Sequence, residues 1–118
     1  MFESIKAYIV AWLPGEVSPQ LKKSVESTIE SNKLLVYSKT YCPYCTATKN
    51  LLNKHGVDYK LIELNTLPDG GNIQRALKEI TGQRTVPNIF FNGKHIGGDS
   101  DLQALESKGE LTGLLAKL

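Results

Sequence analysis

The stretch Leu34-Leu35-Val36-Tyr37-Ser38-Lys39-Thr40-Tyr41-Cys42-Pro43-Tyr44-Cys45-Thr46-Ala47-Thr48-Lys49-Asn50-Leu51-Leu52 decides the fold. Its first four residues are apolar and β-prone and read as a short buried strand. From Thr46 onward the residues read as a helix, which Gly56 closes with a left-handed cap. Both cysteines of the 118-residue chain fall between the two, at Cys42 and Cys45, with Lys39 just upstream. A strand that stops where a helix starts puts Cys42 at the helix N-terminus, facing unpaired backbone N–H groups and the positive end of the helix dipole. Both favour a thiolate over a thiol. A free cysteine with a pKa near 8.5 is only about 3% ionised at pH 7. In a Cys-x-x-Cys pair at a helix start with a cation nearby, the pKa falls to roughly 3.5–7.5. The stretch is therefore expected to carry chemistry.

Length and composition narrow the setting. A chain of 118 residues makes one domain with core enough to dispense with a disulfide or metal staple. Its net charge of +2 is too mild to indicate a nucleic-acid binder. Two cysteines at this spacing are no disulfide framework, and an exchangeable pair suits a reducing compartment, so a cytoplasmic location is expected. Structural zinc wants four ligands; His55 and His95 lack paired spacing and there is no third cysteine, so no metal is expected. The run Ala7 to Leu13 is far short of the ~20 apolar residues that span a bilayer. Glu3 and Pro14-Gly15-Glu16 do not fit a signal peptide, and the first arginine, Arg75, comes too late for a mitochondrial presequence. Residues 1–17 are read as an extension of unassigned role, and residues 18–118 as the functional domain. An extra helical turn, a partner or membrane-surface contact and a targeting role all fit the extension.

Working outward from the cysteines, Ser18-Pro19 is a helix start, and Leu21, Val25 and Ile29 recur every four residues as far as Asn32. Beyond Gly56, Val57 to Leu64 reads as a second strand and Asn65 to Gly71 as a loop. Ile73, Ala76, Leu77 and Ile80 give a helix that Gly82 ends. Asn88-Ile89-Phe90-Phe91 is a strand, Asn92-Gly93 a hairpin turn, and Lys94-His95-Ile96 the return strand. Gly97-Gly98-Asp99-Ser100-Asp101 leads into a last helical stretch that Gly109 and Gly113 are expected to break. The β-α-β beginning implies a parallel pair and the hairpin an antiparallel one. An α/β sandwich follows, with a four-stranded mixed sheet flanked by helices.

Three stretches, Lys39 to Cys45, Thr85-Val86-Pro87 and Gly97 to Asp101, together resemble glutaredoxin, of the thioredoxin fold. Pro43-Tyr44 stands where thioredoxin has Gly-Pro, and Tyr41 where it usually has tryptophan. The resemblance covers roughly Ser18 to Leu118 and implies a dithiol glutaredoxin of the cytosolic, fungal-like kind. By it, Cys42 is the nucleophile and Cys45 the resolving thiol. Glutathione is the co-substrate, and glutathionylated or disulfide-containing proteins are the other substrates of a monomeric enzyme. The resemblance further implies that Lys39 and Gln83, with Arg84 beside it, meet the glycyl carboxylate of glutathione. Tyr44 walls the groove. A cis Val86-Pro87 bond leaves the Val86 backbone free to pair with the cysteinyl part, and Thr85 shapes the same edge. Gly98 lets the backbone approach the ligand. The N–H groups of Ser100 and Asp101 hold the γ-glutamyl carboxylate. An Asp101 or Asp99 carboxylate takes the ammonium; plain capping of the helix by Asp99 or Ser100 is the competing use. The alternative function is an iron–sulfur scaffold in which Cys42 and glutathione hold a cluster between two subunits.

Overall fold

Ser18 does what its position predicts: its Oγ accepts the Leu21 N–H at 3.1 Å, and Pro19 occupies the first helical position. The computed structural model describes residues 17–118; the readings for residues 1–16 lie outside them. In order come α1 (Pro19–Ser31), β1 (Leu34–Ser38), α2 (Pro43–Lys54), β2 (Lys60–Glu63) and a 3-10 turn (Leu64–Thr66). Then follow α3 (Gly70–Thr81), β3 (Asn88–Phe91), β4 (Lys94–Gly97), α4 (Asp99–Ser107) and α5 (Leu111–Ala116).

The sheet order is β2-β1-β3-β4, with β1 parallel to β2 and antiparallel to β3, and β3 antiparallel to β4. Every residue of β1 is buried, because its alternate side chains feed two cores. Leu34 and Val36 pack with Leu51 and Leu52 of α2, Leu102 of α4 and Leu111 and Leu115 of α5. Leu35 and Tyr37 pack on the other face with Val25 and Ile29 of α1 and Ala76 and Leu77 of α3. Each Val, Leu or Ile side chain among these, fully buried, contributes about 1.5–3 kcal/mol. The Asn92-Gly93 turn has both φ angles positive, at 50° and 79°, the conformation that joins twisted antiparallel strands in two residues.

Three boundaries differ from the sequence reading. The second strand is four residues long, not eight. β1 begins at Leu34 and pairs from Leu35 opposite Lys60, so residues 57–59 have no partner strand. The loop from Asn65 starts as a 3-10 turn, and α3 already begins at Gly70. Gly109, with φ of 70°, does separate the last two helices, whereas Gly113 lies inside α5 and breaks nothing.

Candidate functional site

The end of β1 and the start of α2 position the cysteines. Cys42 is the N-cap residue of α2, extended at φ −93° and ψ 117°, and Pro43 follows at the first helical position. The Cys42 Sγ accepts the Cys45 N–H at 3.3 Å and lies 3.7 Å from the Val86 carbonyl oxygen. Cys42 is half-buried, while Cys45 has 0% exposure. Burial, and after it the neighbouring Cys42 side chain, push the Cys45 thiol above its ordinary pKa; Ser38 and the Lys39 backbone pull weakly the other way. The chain thus presents one sulfur and withholds the other.

Around Cys42 the backbone is clamped from a distance. The Lys39 carbonyl accepts the Cys42 N–H at 3.2 Å. Asn65, in the 3-10 turn, accepts the Thr40 N–H at 3.0 Å and donates its amide to Thr40 Oγ1. The Lys39 side chain makes no ion pair among the described residues.

The Val86–Pro87 bond is cis, and Pro87 is buried at the start of β3. Gln83 is employed differently from its expected role as a carboxylate ligand. Its Nε2 donates to the Thr85 carbonyl at 3.1 Å and to the Pro87 carbonyl at 3.0 Å. Both amide protons are engaged, so as placed it braces this segment and has no donor left for a ligand. Gly98 abuts the same segment: a Cβ there would lie 3.6 Å from the Pro87 oxygen.

These parts enclose a groove of about 440 Å³, lined by Tyr44, Thr85, Val86, Pro87, Gly98, Asp99 and Ser100. The structure thereby brings seven of the sequence-nominated residues to one wall set, with Cys42 joined to it through Val86. Lys39, Gln83, Asp101 and Cys45 stand outside the lining. Asp101 caps α4 instead: its Oδ2 accepts the Gly98 N–H at 2.9 Å. The Asp99 Oδ1 accepts Thr48 Oγ1 at 2.8 Å and Gln103 Nε2 at 3.2 Å. A larger groove of about 720 Å³, lined in part by Arg75, Lys78, Glu79 and Arg84, holds neither cysteine. The position of the sulfur, not size, decides which groove is the site. Arg84 faces that second groove rather than the first.

Sequence reasoning missed Asn65, Thr48 and Gln103. Asn65 and Thr48 act on partners 25 and 51 residues away, a separation that no local spacing encodes, and Gln103 matters only through the Asp99 it shares with Thr48. Among the described residues, no three His, Cys, Asp or Glu side chains cluster as a metal site would require. No described helix is long and apolar enough to cross a membrane.

A family model described as Glutaredoxin matches residues 34–96. A glutaredoxin of Ricinus communis is 55% identical over 89 residues, 75% of this chain and 87% of that protein. Glutaredoxin-1 of Saccharomyces cerevisiae is 52% identical over 103 residues, 84% of this chain and 94% of that one. Among solved structures, wheat glutaredoxin superposes with a TM-score of 0.81 at 47% identity, covering 84% of this chain and 93% of that one. A buckwheat glutaredoxin–glutathione complex gives a TM-score of 0.78 at 41% identity, covering 85% and 94%.

Proposed function

Since the chain belongs to the glutaredoxin family and is a thiol–disulfide oxidoreductase, we propose that it uses glutathione to reduce protein–glutathione mixed disulfides and protein disulfides. The observation that carries the reading is the groove bounded by Tyr44, the cis-proline segment and the start of α4, with the Cys42 sulfur at its edge. The buckwheat relative, similar over most of the chain, is a glutathione complex.

The Cys42 thiolate attacks the glutathionyl sulfur of a mixed disulfide, forms a Cys42–glutathione disulfide and expels the protein thiolate. A second glutathione thiolate attacks the bound glutathionyl sulfur, releases oxidised glutathione and regenerates Cys42. With a protein disulfide, Cys42 first forms a mixed disulfide to the substrate. Cys45 then attacks the Cys42 sulfur, expels the substrate thiol and leaves a Cys42–Cys45 disulfide for glutathione to reduce. Burial, and after it the hydrogen bond with the Cys42 side chain, hold Cys45 protonated in the resting enzyme.

In the groove, the Val86 backbone pairs with the cysteinyl part of glutathione as an added strand. The first N–H groups of α4, at Ser100 and Asp101, hold the γ-glutamyl carboxylate, which the helix dipole favours. Lys39 meets the glycyl carboxylate from the Cys42 side, and Gln83 keeps the cis-proline edge in place. We place the domain at residues 18–118, acting as a monomer in the cytoplasm, where a chain whose only thiols are exchangeable stays reduced.

The roles of the two sulfurs are tested by Cys45→Ser. It is expected to keep turnover of a glutathionylated peptide and to lose most reduction of a dithiol substrate. Loss of both activities would contradict the division of labour.

A further inference from the structure

On the reading that the groove takes glutathione, we propose that Thr48 and Asp99 are positioning residues. They form a buried strut that holds the Gly98–Asp101 wall at a set distance from the helix bearing Cys42. Thr48 lies in α2 on the face that also buries Cys45, Leu51 and Leu52, and it has 0% exposure. A hydroxyl there costs free energy unless it finds a partner. Its partner is the Asp99 Oδ1, at 2.8 Å, on the first residue of α4 and in the lining of the groove. Gln103, one turn along α4, donates to the same oxygen at 3.2 Å.

The wall is therefore fixed by both of its acidic side chains. Asp101 ties it to its own backbone at the Gly98 N–H, and Asp99 ties it to α2. Glutathione must span those two elements, with its sulfur at Cys42 and its γ-glutamyl carboxylate at the α4 N–H groups. A change in their separation misplaces one end whenever the other is bound, and misplacement by about 1 Å can cost up to 10²-fold. Because the strut touches neither sulfur, it governs how well glutathione fits and leaves the reactivity of Cys42 alone. It also commits one oxygen of the Asp99 carboxylate, Oδ1, to Thr48 and Gln103.

The test uses the 118-residue chain, a glutathionylated peptide at varied concentration, fixed glutathione, and iodoacetamide alkylation of Cys42. Thr48→Val keeps the volume and removes the donor. It is expected to raise the KM for the glutathionylated peptide about tenfold, with the alkylation rate and kcat unchanged. Thr48→Ser is expected to restore KM. An unchanged KM in Thr48→Val, or a Thr48→Ser as poor as Thr48→Val, would overturn the proposal. Failure of the glutathione reading itself would show in the wild type, as turnover no faster with the glutathionylated peptide than with the same peptide carrying a cysteine disulfide. The strut is then read by amide hydrogen exchange at Ser100 to Leu102. Thr48→Val should accelerate that exchange, and equal exchange would overturn the strut.

Discussion

Cys42 and Cys45 share a helical turn and meet opposite surroundings: the first caps the helix half-exposed, and the second is sealed beneath it. Reactivity should divide accordingly. At pH 7, limited iodoacetamide is expected to label Cys42 and spare Cys45, whose thiol is held protonated chiefly by burial. Peptide mass spectrometry reads the outcome, and comparable labelling of the two would contradict it. Tyr37 gives a second residue-scale prediction. It is 1% exposed, set edge-on against Phe90 with ring centroids 6.1 Å apart, and burial pushes its pKa from 10.0 up to about 12. A raised pKa in the folded chain means that stability is intact below pH 10 and is lost between pH 10 and about 12. The loss should reach about 2–3 kcal/mol. Urea midpoints followed through that range should fall in the wild type and fall less in Tyr37→Phe; parallel curves would refute the assignment.

At the scale of elements, what joins them matters as much as what they contain. The start of α3 lies so close to the 3-10 turn that a Cβ on Gly70 would collide with the Leu64 carbonyl. Gly70→Ala is therefore expected to destabilise the fold by about 1–3 kcal/mol, read as a lower urea midpoint. A neutral result would mean that this joint is not tightly packed. The turn matters to the site because it carries Asn65, whose side chain clamps Thr40 two residues before Cys42. Elements with a strong local period were legible in the sequence: α1 from Leu21, Val25 and Ile29, and the hairpin from Asn92-Gly93. Their edges were less so. β2 stops short because a parallel register, set by where β1 begins, decides which of its residues find partners. Gly113 stays helical because Leu111 and Leu115 are buried on either side of it, and that burial outweighs the roughly 1 kcal/mol cost of a helical glycine.

For the molecule as a whole, the sandwich follows from one strand buried on both faces, and that strand was readable as an unbroken apolar run before the cysteines. The three motif stretches were readable too, since each is short and continuous. What no local pattern carried was how they are tied together: Gln83 onto the Thr85 and Pro87 carbonyls, Asp101 onto Gly98, Thr48 onto Asp99. The first two connect near neighbours, yet the same side chains could as well serve a ligand, and only the folded distances decide. The third spans the molecule. All of them converge on one sulfur at the edge of one groove. The most direct test is turnover of a glutathionylated peptide with glutathione, glutathione reductase and NADPH, comparing wild type with Cys42→Ser. The account predicts NADPH consumption that depends on glutathione in the wild type and falls to background in the variant. Residual turnover carried by Cys45 in Cys42→Ser, or a wild type indifferent to glutathione, would contradict it.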